Sequence, residues 1–287
     1  MPAHYPTYYP PSAAVPGRPS AWAKSMLDVF SASDEVAMVR FRLQQHAPLA
    51  FKTIVLESNY THTGVPKPLH IANSLSIEEV ARYNVQIINV PFGDALLRKA
   101  NCSQRRCVLL LEDAQRRYVN TLLLKERLEH IRAGRGELLV YMSDVDEVLD
   151  PDAFIGRSIP GCHTPSLRMM VYGERCWSGE VWGRSVVFNG TSEWFPNRLK
   201  RFPTMQLRSK DRMRQACPRL HGLSGWHMTY FMDTAHLLQK LSTFSHSMEG
   251  FVHRITRAGD PAATIEERVR TCTSVHGRVY GAHISSP

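Results

Sequence analysis

Residues 106–143 carry the pattern that most limits what this chain can fold into. The stretch 106–133 repeats apolar residues at three, four and seven (Leu111, Tyr118, Leu122; Val119, Leu123) with Glu and Arg on the other face, and Gly134 stops it. "ELLVYMS" (137–143) follows, an apolar run without polar alternation. A strand of that kind has no face for water, so something must cover both sides, as helices do on a parallel sheet. Two similar runs precede it, "FKTIVLE" (51–57) and "VQIINVPF" (85–92), with a short helix in "SIEEVARY" (76–83) between them. "PSLRMMVYG" (165–173) and "RSVVFNG" (184–190) read as further strands. Strands alternating with helices predict an α/β fold with a mostly parallel central sheet flanked by helices. Later, Asp233 caps a helix running to about Leu241, and Thr264 with Glu267 in "TIEE" has the form of a capping box.

Apolar residues make up 43% of the 287 and charged ones 21%, enough for a sizeable core without a metal or disulfide staple. The six cysteines (102, 107, 162, 176, 217, 272) form no C-x-x-C pair, which speaks against structural zinc and leaves disulfides open. No run of about 18 apolar residues exists, so no membrane-spanning helix is expected. Residues 1–21 are rich in Pro and Tyr and lack the apolar centre of a signal peptide. They read as a disordered tail before one domain, 22–287. The net charge of +9 is scattered rather than blocked, so nucleic acid is not the expected partner.

At the mouth of the 137–143 run, four carboxylates crowd together: Asp144, Asp146, Glu147 and Asp150. In an extended chain Asp144 and Asp146 share a face, with Cβ atoms roughly 6–7 Å apart. Like charges that close repel unless a cation lies between them, and a hard divalent ion with oxygen ligands is the usual one. Two carboxylates at that separation do not clasp one small ion without a bend. One ligates and the other works through water or a ligand group. The remaining coordination positions suit substrate phosphates, as in many Mg²⁺ and Mn²⁺ sites. The place fits too, because open α/β sheets bind ligands beyond the carboxyl ends of their strands. "DVDEV" also matches the D-x-D-x-[TV] of haloacid-dehalogenase-type phosphatases, and a solvated acidic turn is the plainest alternative.

"IVLESNYTHTGVPKPL" (54–69), "LEDAQRR" (111–117), "YMSDVDEVLDPDA" (141–153) and "GWHMTYFMDTAHLLQKLSTFSHS" (225–247) occur in that order. Together they resemble glycosyltransferase family 17, the β-1,4-mannosyl-glycoprotein 4-β-N-acetylglucosaminyltransferases, over roughly residues 27–275. The resemblance implies a GT-A fold, a D-x-D metal site at Asp144–Asp146, Mn²⁺ (or Mg²⁺) as the ion, and inverting transfer of N-acetylglucosamine from UDP-GlcNAc to a mannose hydroxyl of a glycan. It implies that Asp146 ligates the metal while Asp144 sits near the ribose or a metal-bound water. Glu57 is assigned to nucleotide or sugar hydroxyls. Lys67 lies on a loop within reach of phosphate. Arg116 sits in the "E-x-x-Q-R" element, although a helix pair with Glu112 accounts for it equally. Trp226 is placed for sugar stacking, and His227 or His246 as a late metal ligand. Glu147 is a catalytic candidate by proximity, and otherwise a residue that orients the loop. Glu193, Asp211 and Glu249 are all available as general base, and nothing in their spacing selects one.

The resemblance has departures. Animal members carry an N-terminal Golgi membrane anchor that this sequence does not show, so a soluble chain is expected, with the cytoplasm among the compartments open to it. Leu111 stands where an aromatic residue is expected, which leaves the acceptor open. The rival readings are a phosphohydrolase with Asp144 as nucleophile and a relative that binds nucleotide or glycan without turnover.

Overall fold

A computed structural model describes residues 24–93, 96–97, 105–154, 159–192, 217–243 and 250–282. The expected tail at 1–21 lies outside them. In chain order the elements are β1 (Met26–Ser31), α1 (Val36–His46), β2 (Ala50–Glu57), α2 (His70–Ser74), α3 (Ile77–Arg82), β3 (Val85–Asn89), α4 (Arg105–Arg132), β4 (Leu139–Asp144), β5 (Glu147–Leu149), β6 (Cys162–His163), β7 (Leu167–Val171), β8 (Cys176–Trp182), β9 (Val186–Asn189), β10 (Gly225–Thr229), α5 (Thr234–Thr243), α6 (Gly250–Thr256), α7 (Pro261–Arg270) and β11 (Gly281–Ala282).

The central sheet has the order β3-β2-β1-β4-β9-β6. Its first four strands run parallel, and β9 and β6 add antiparallel pairs at one side. Alternation along β1 explains the layering. Leu27 and Val29 face one cluster with Ile54, Leu56, Val140 and Met142, where Leu111, Val119 and Leu123 of α4 pack. Phe30 faces the other side, against Met38, Val39 and Leu43 of α1. The chain thus covers both faces, as the unbroken apolar runs require.

A second, mixed sheet, β11-β8-β7-β10-β5, goes beyond the single sheet expected from the sequence. Residues Val171, Leu237, Leu241, Ile255 and Ile265 bury α5, α6 and α7 against it. Of the two disulfides among the described residues, Cys176–Cys272 ties β8 of this sheet to the segment after α7, and Cys162–Cys217 joins β6 of the central sheet to the segment before β10.

The expected strands and the long helix appear close to their predicted limits, with differences in detail. The buried stripe of α4 runs through Leu111, Gln115, Val119 and Leu123, one turn apart, and Tyr118 is exposed. Asp233 caps α5, accepting from the His236 amide at 2.8 Å. The capping box at Thr264 does not form. Asp260 caps α7 instead, accepting from the Ala263 amide at 3.0 Å, with Pro261 in the first turn. An Asp-Pro start satisfies an orphan amide and presets the backbone, so the helix opens a turn earlier than the Thr.

Candidate active site

The acidic cluster stands where the chain passes from one sheet to the other. β4 ends at Asp144, Val145 and Asp146 make a turn, and β5 enters the second sheet antiparallel to β10, with Glu147 opposite His227. The Met228 amide donates to the Asp146 carbonyl at 2.8 Å, fastening the turn to β10. Gly225 makes that approach possible. Its φ is +149°, and a Cβ there would lie 2.1 Å from the Val148 carbonyl oxygen. The extended geometry expected for 144–146 is therefore replaced by a bend. Val145 goes into the core and the two aspartates no longer sit on one face of a strand.

Buried polar groups hold the turn from behind. Arg42, on the apolar side of α1, is fully buried and forms a forked pair with Asp28 of β1, at 2.9 Å through Nε and 2.5 Å through Nη2. Its Nη1 donates to the carbonyls of Asp144 at 2.7 Å and Glu147 at 2.8 Å, and Nη2 to Ser143 Oγ at 2.7 Å. His46, one turn on, has Nδ1 2.8 Å from the Asp28 carboxylate, while its Nε2 accepts the Leu149 amide at 2.8 Å. That pair of bonds selects the neutral ring protonated on Nδ1. Burial accordingly holds the His46 pKa below its ordinary value, against the opposing charge of Asp28. The Tyr141 hydroxyl adds a bond to the Glu147 carbonyl at 3.0 Å.

Glu147 is fully buried. One carboxylate oxygen accepts the Asp144 amide at 3.0 Å and the other accepts the Trp182 indole N–H. Trp182 stacks on the His227 ring with centroids 4.3 Å apart, and the Arg184 guanidinium lies 4.6 Å from the same indole. Glu147 therefore locks the loop and orients Trp182. That corrects its sequence-based candidacy as a catalytic group, because both oxygens already have protein partners.

A cleft of about 560 Å³ opens on the turn, lined among others by Asp34, Glu35, Met38, Asp146, Tyr230 and Lys240. Its walls are the start of α1, the turn after β4, the end of β10 and α5. His227 Nε2 lies 3.7 Å from Asp146 Oδ2 and both side chains are largely buried. Burial pushes the Asp146 carboxyl up. His227 and Lys240 outweigh that, against the charge of Asp144, and its pKa stands below the ordinary value. Burial would lower His227, yet the carboxylates of Asp146, Glu147 and Asp144 prevail and raise it. The His227 Nδ1 has no hydrogen-bond partner among the described residues. Among the described residues no three His, Cys, Asp or Glu side chains gather as a metal site. A cation at Asp146 and His227 would take its other ligands from substrate and water.

The remaining sequence-predicted residues divide. Asp144 stands at the end of β4, part-exposed beside the turn, and does not line the cleft. Glu57 is fully buried and its two oxygens accept the amides of Ile71 at 2.9 Å and Ala72 at 3.0 Å, capping α2. That replaces its expected role in binding nucleotide or sugar. Lys67 lies 3.6 Å from Glu57 and donates to the carbonyls of Ser33 and Pro68, so it is turned toward the protein rather than presented to phosphate. Trp226 is partly buried against the cluster holding Val148 and Met228 and is not among the residues lining the cleft. Arg116 is in α4, and its side chain is outside the described residues. Gln115 beside it accepts from His62 Nε2 through Oε1 at 3.1 Å and donates through Nε2 to the Leu56 carbonyl at 3.3 Å. His246, Glu193, Asp211 and Glu249 lie outside the described residues.

Sequence reasoning missed Asp28, Arg42, His46, Trp182, Glu35 and Lys240. One signal was available. Arg42 and His46 sit four apart on the same helical face as Met38 and Leu43, and a charge on an apolar face requires a buried partner.

Compared with known proteins, the model of the family described as Glycosyltransferase family 17 matches residues 18–166, just over half of the chain, including β1 through β6. No curated protein matches. Among solved structures, a mannosyltransferase, PcManGT from Pyrobaculum calidifontis in complex with GDP-Man and Mn²⁺, is similar at 10% identity and a TM-score of 0.36, covering 88% of this chain and 73% of its own. At that level of similarity no residue of the neighbour is carried over.

Proposed function

Because this chain belongs to glycosyltransferase family 17, we propose that it transfers N-acetylglucosamine from UDP-GlcNAc to a mannose hydroxyl of an N-glycan-like acceptor, with inversion and with help from a divalent cation. Residues 22–287 would form one GT-A-type transferase domain. Family membership also sets aside the phosphohydrolase reading of "DVDEV". The observation that carries the proposal is the placement of Asp146. It sits in a turn at the carboxyl end of a parallel strand, in the wall of a cleft large enough for a nucleotide, with His227 Nε2 3.7 Å from its carboxylate.

The donor set suits Mn²⁺ or Mg²⁺. Asp146 supplies oxygen and His227 imidazole nitrogen, with Asp144 adjacent at the strand end. When bound, the ion would neutralise charge on the leaving diphosphate. The chain's own residues do the rest. Arg42 and Glu147 hold the Asp144–Asp146 backbone in its bend, and Trp182 fixes the His227 ring plane. Met38, Val145, Met228 and Phe231 give the cleft an apolar part of its lining. A carboxylate on the acceptor side would take the hydroxyl proton.

The test is release and transfer of sugar from UDP-GlcNAc, with and without Mn²⁺, by the native chain and by Asp146→Ala. Removing the ligand is expected to lower turnover about a hundredfold or more. Full activity in that variant would refute the metal site. UDP binding without sugar release in the native chain would favour the non-catalytic reading.

A further inference from the structure

A departing nucleoside diphosphate gains a negative charge over the bound nucleotide sugar, and a divalent cation that also offsets a carboxylate does not neutralise it, so the site needs a further positive group. The cleft is short of them. Its walls bring Asp34, Glu35, Asp146 and Asp233, and among the described residues its one lysine or arginine is Lys240 of α5. Lys67, the lysine the sequence assigns to phosphate, is turned to Glu57 and two backbone carbonyls. Lys240 has 19% of its side chain exposed and Nζ 3.0 Å from Glu35 Oε1, whose side chain is 12% exposed. The pair joins α5 to the first turn of α1 across the cleft wall. The other Glu35 oxygen accepts the Ser33 amide at 2.8 Å, so the carboxylate is anchored and the lysine is the longer, more adjustable partner. Lys240 and Asp146, the proposed metal ligand, line the same cleft.

We propose that Lys240 is a catalytic cation of this cleft, resting on Glu35 when the site is empty and turning to the diphosphate of the donor when it binds. The proposal rests on the nucleotide-sugar reading above. In it, Glu35 keeps a largely buried ammonium from standing unpaired, and the arriving phosphate oxygens replace that partner with a charge-assisted hydrogen bond. The developing charge of the leaving diphosphate would then be met from two sides, by a cation near Asp146 and by Lys240.

The experiment is calorimetric titration of the full chain with UDP and with uridine, each in the presence of Mn²⁺. Lys240→Met is expected to weaken UDP by about ten- to a hundredfold and leave uridine unchanged. Lys240→Arg should retain most of the UDP affinity, and Glu35→Gln should tighten UDP by releasing the lysine. The Glu35→Gln/Lys240→Met double variant removes both charges together, leaves none buried and unpaired, and should show the same loss as Lys240→Met. Equal UDP affinity in the native chain and in Lys240→Met or the double variant overturns the proposal while leaving the donor assignment standing. An equal loss for uridine overturns it as well, since Lys240 would then only shape the cleft. Weaker UDP binding by Glu35→Gln overturns the resting-partner role. A native chain that ignores UDP overturns the donor assignment and this inference with it.

Discussion

Arg42→Met is the sharpest probe of how the fold holds the site. The variant keeps the stem volume and deletes the guanidinium. It leaves the Asp28 carboxylate, fully buried, with His46 as its remaining side-chain partner, and strips a donor from the carbonyls of Asp144 and Glu147. Breaking a buried pair from one side costs about 3–5 kcal/mol. That is a large share of a typical total of about 5–15 kcal/mol. At about 2–4 °C per kcal/mol for a chain of this size, the melting temperature should fall by about 6–20 °C. The pH dependence carries the sign. Burial pushes Asp28 up, but Arg42 and then His46 outweigh it, so its folded pKa lies well below the ordinary 3.8. A depressed carboxylate stabilises the fold above its unfolded pKa and loses that contribution as pH falls through the folded value. With Arg42 gone, burial prevails and Asp28 binds its proton more readily. The unfolded state is common to both chains, so the penalty of the variant should shrink as pH falls from its raised folded pKa, above 3.8, toward the depressed native one. Asp28→Asn/Arg42→Met should recover at least about 1 kcal/mol, because no buried charge is left unpaired. Calorimetry and denaturant titration measure the loss, and amide exchange at 145–147 reports the loosened turn. Melting within about 2 °C of the native chain would refute the reasoning, since it corresponds to less than about 1 kcal/mol.

Other predictions are briefer. Gly225→Ala drives a methyl into the Val148 carbonyl and should cost about 1–3 kcal/mol or more, together with transferase activity, read by melting and turnover. Reducing the Cys176–Cys272 bridge, with a sequence separation of 96, should cost about 4–5 kcal/mol by loop entropy, measured as a shift of the denaturant midpoint. His227, with its pKa raised above 6.5, contributes stability that is complete below that value and fades as pH rises through the folded pKa. His227→Gln should flatten that limb of the stability profile, and an unchanged profile would count against the ion pair with Asp146.

The α/β layering was readable because it rests on patterns that burial imposes. Leu139, Val140 and Tyr141 are apolar in succession because both sheet faces are covered, and the 111–115–119–123 stripe of α4 repeats at one helical turn. Strand β1 escaped because Asp28 interrupts "MLDVFS", and α1 because Arg42 and His46 break its apolar face. Asp28 finds its partners 14 and 18 residues on, and Arg42 and His46 also reach groups 102 and 103 residues away, separations of which local pattern carries no record. The same holds for the site. The D-x-D stood out by composition, but whether a carboxylate faces a ligand or a backbone amide depends on tertiary neighbours. Glu57 and Glu147 look as acidic as Asp146 in the sequence, and the fold uses both of them to satisfy peptide N–H groups.

The crossing at Val145–Asp146 gives the site an unusual mechanical position. Asp144 is hydrogen-bonded into one sheet and Glu147 into the other, so two residues alone connect the two layers at this point. Any sliding of one layer over its neighbour is delivered straight to the Asp146 carboxylate, with no loop to absorb it. A ligand that drew the two layers together across the cleft would thereby also re-aim that carboxylate.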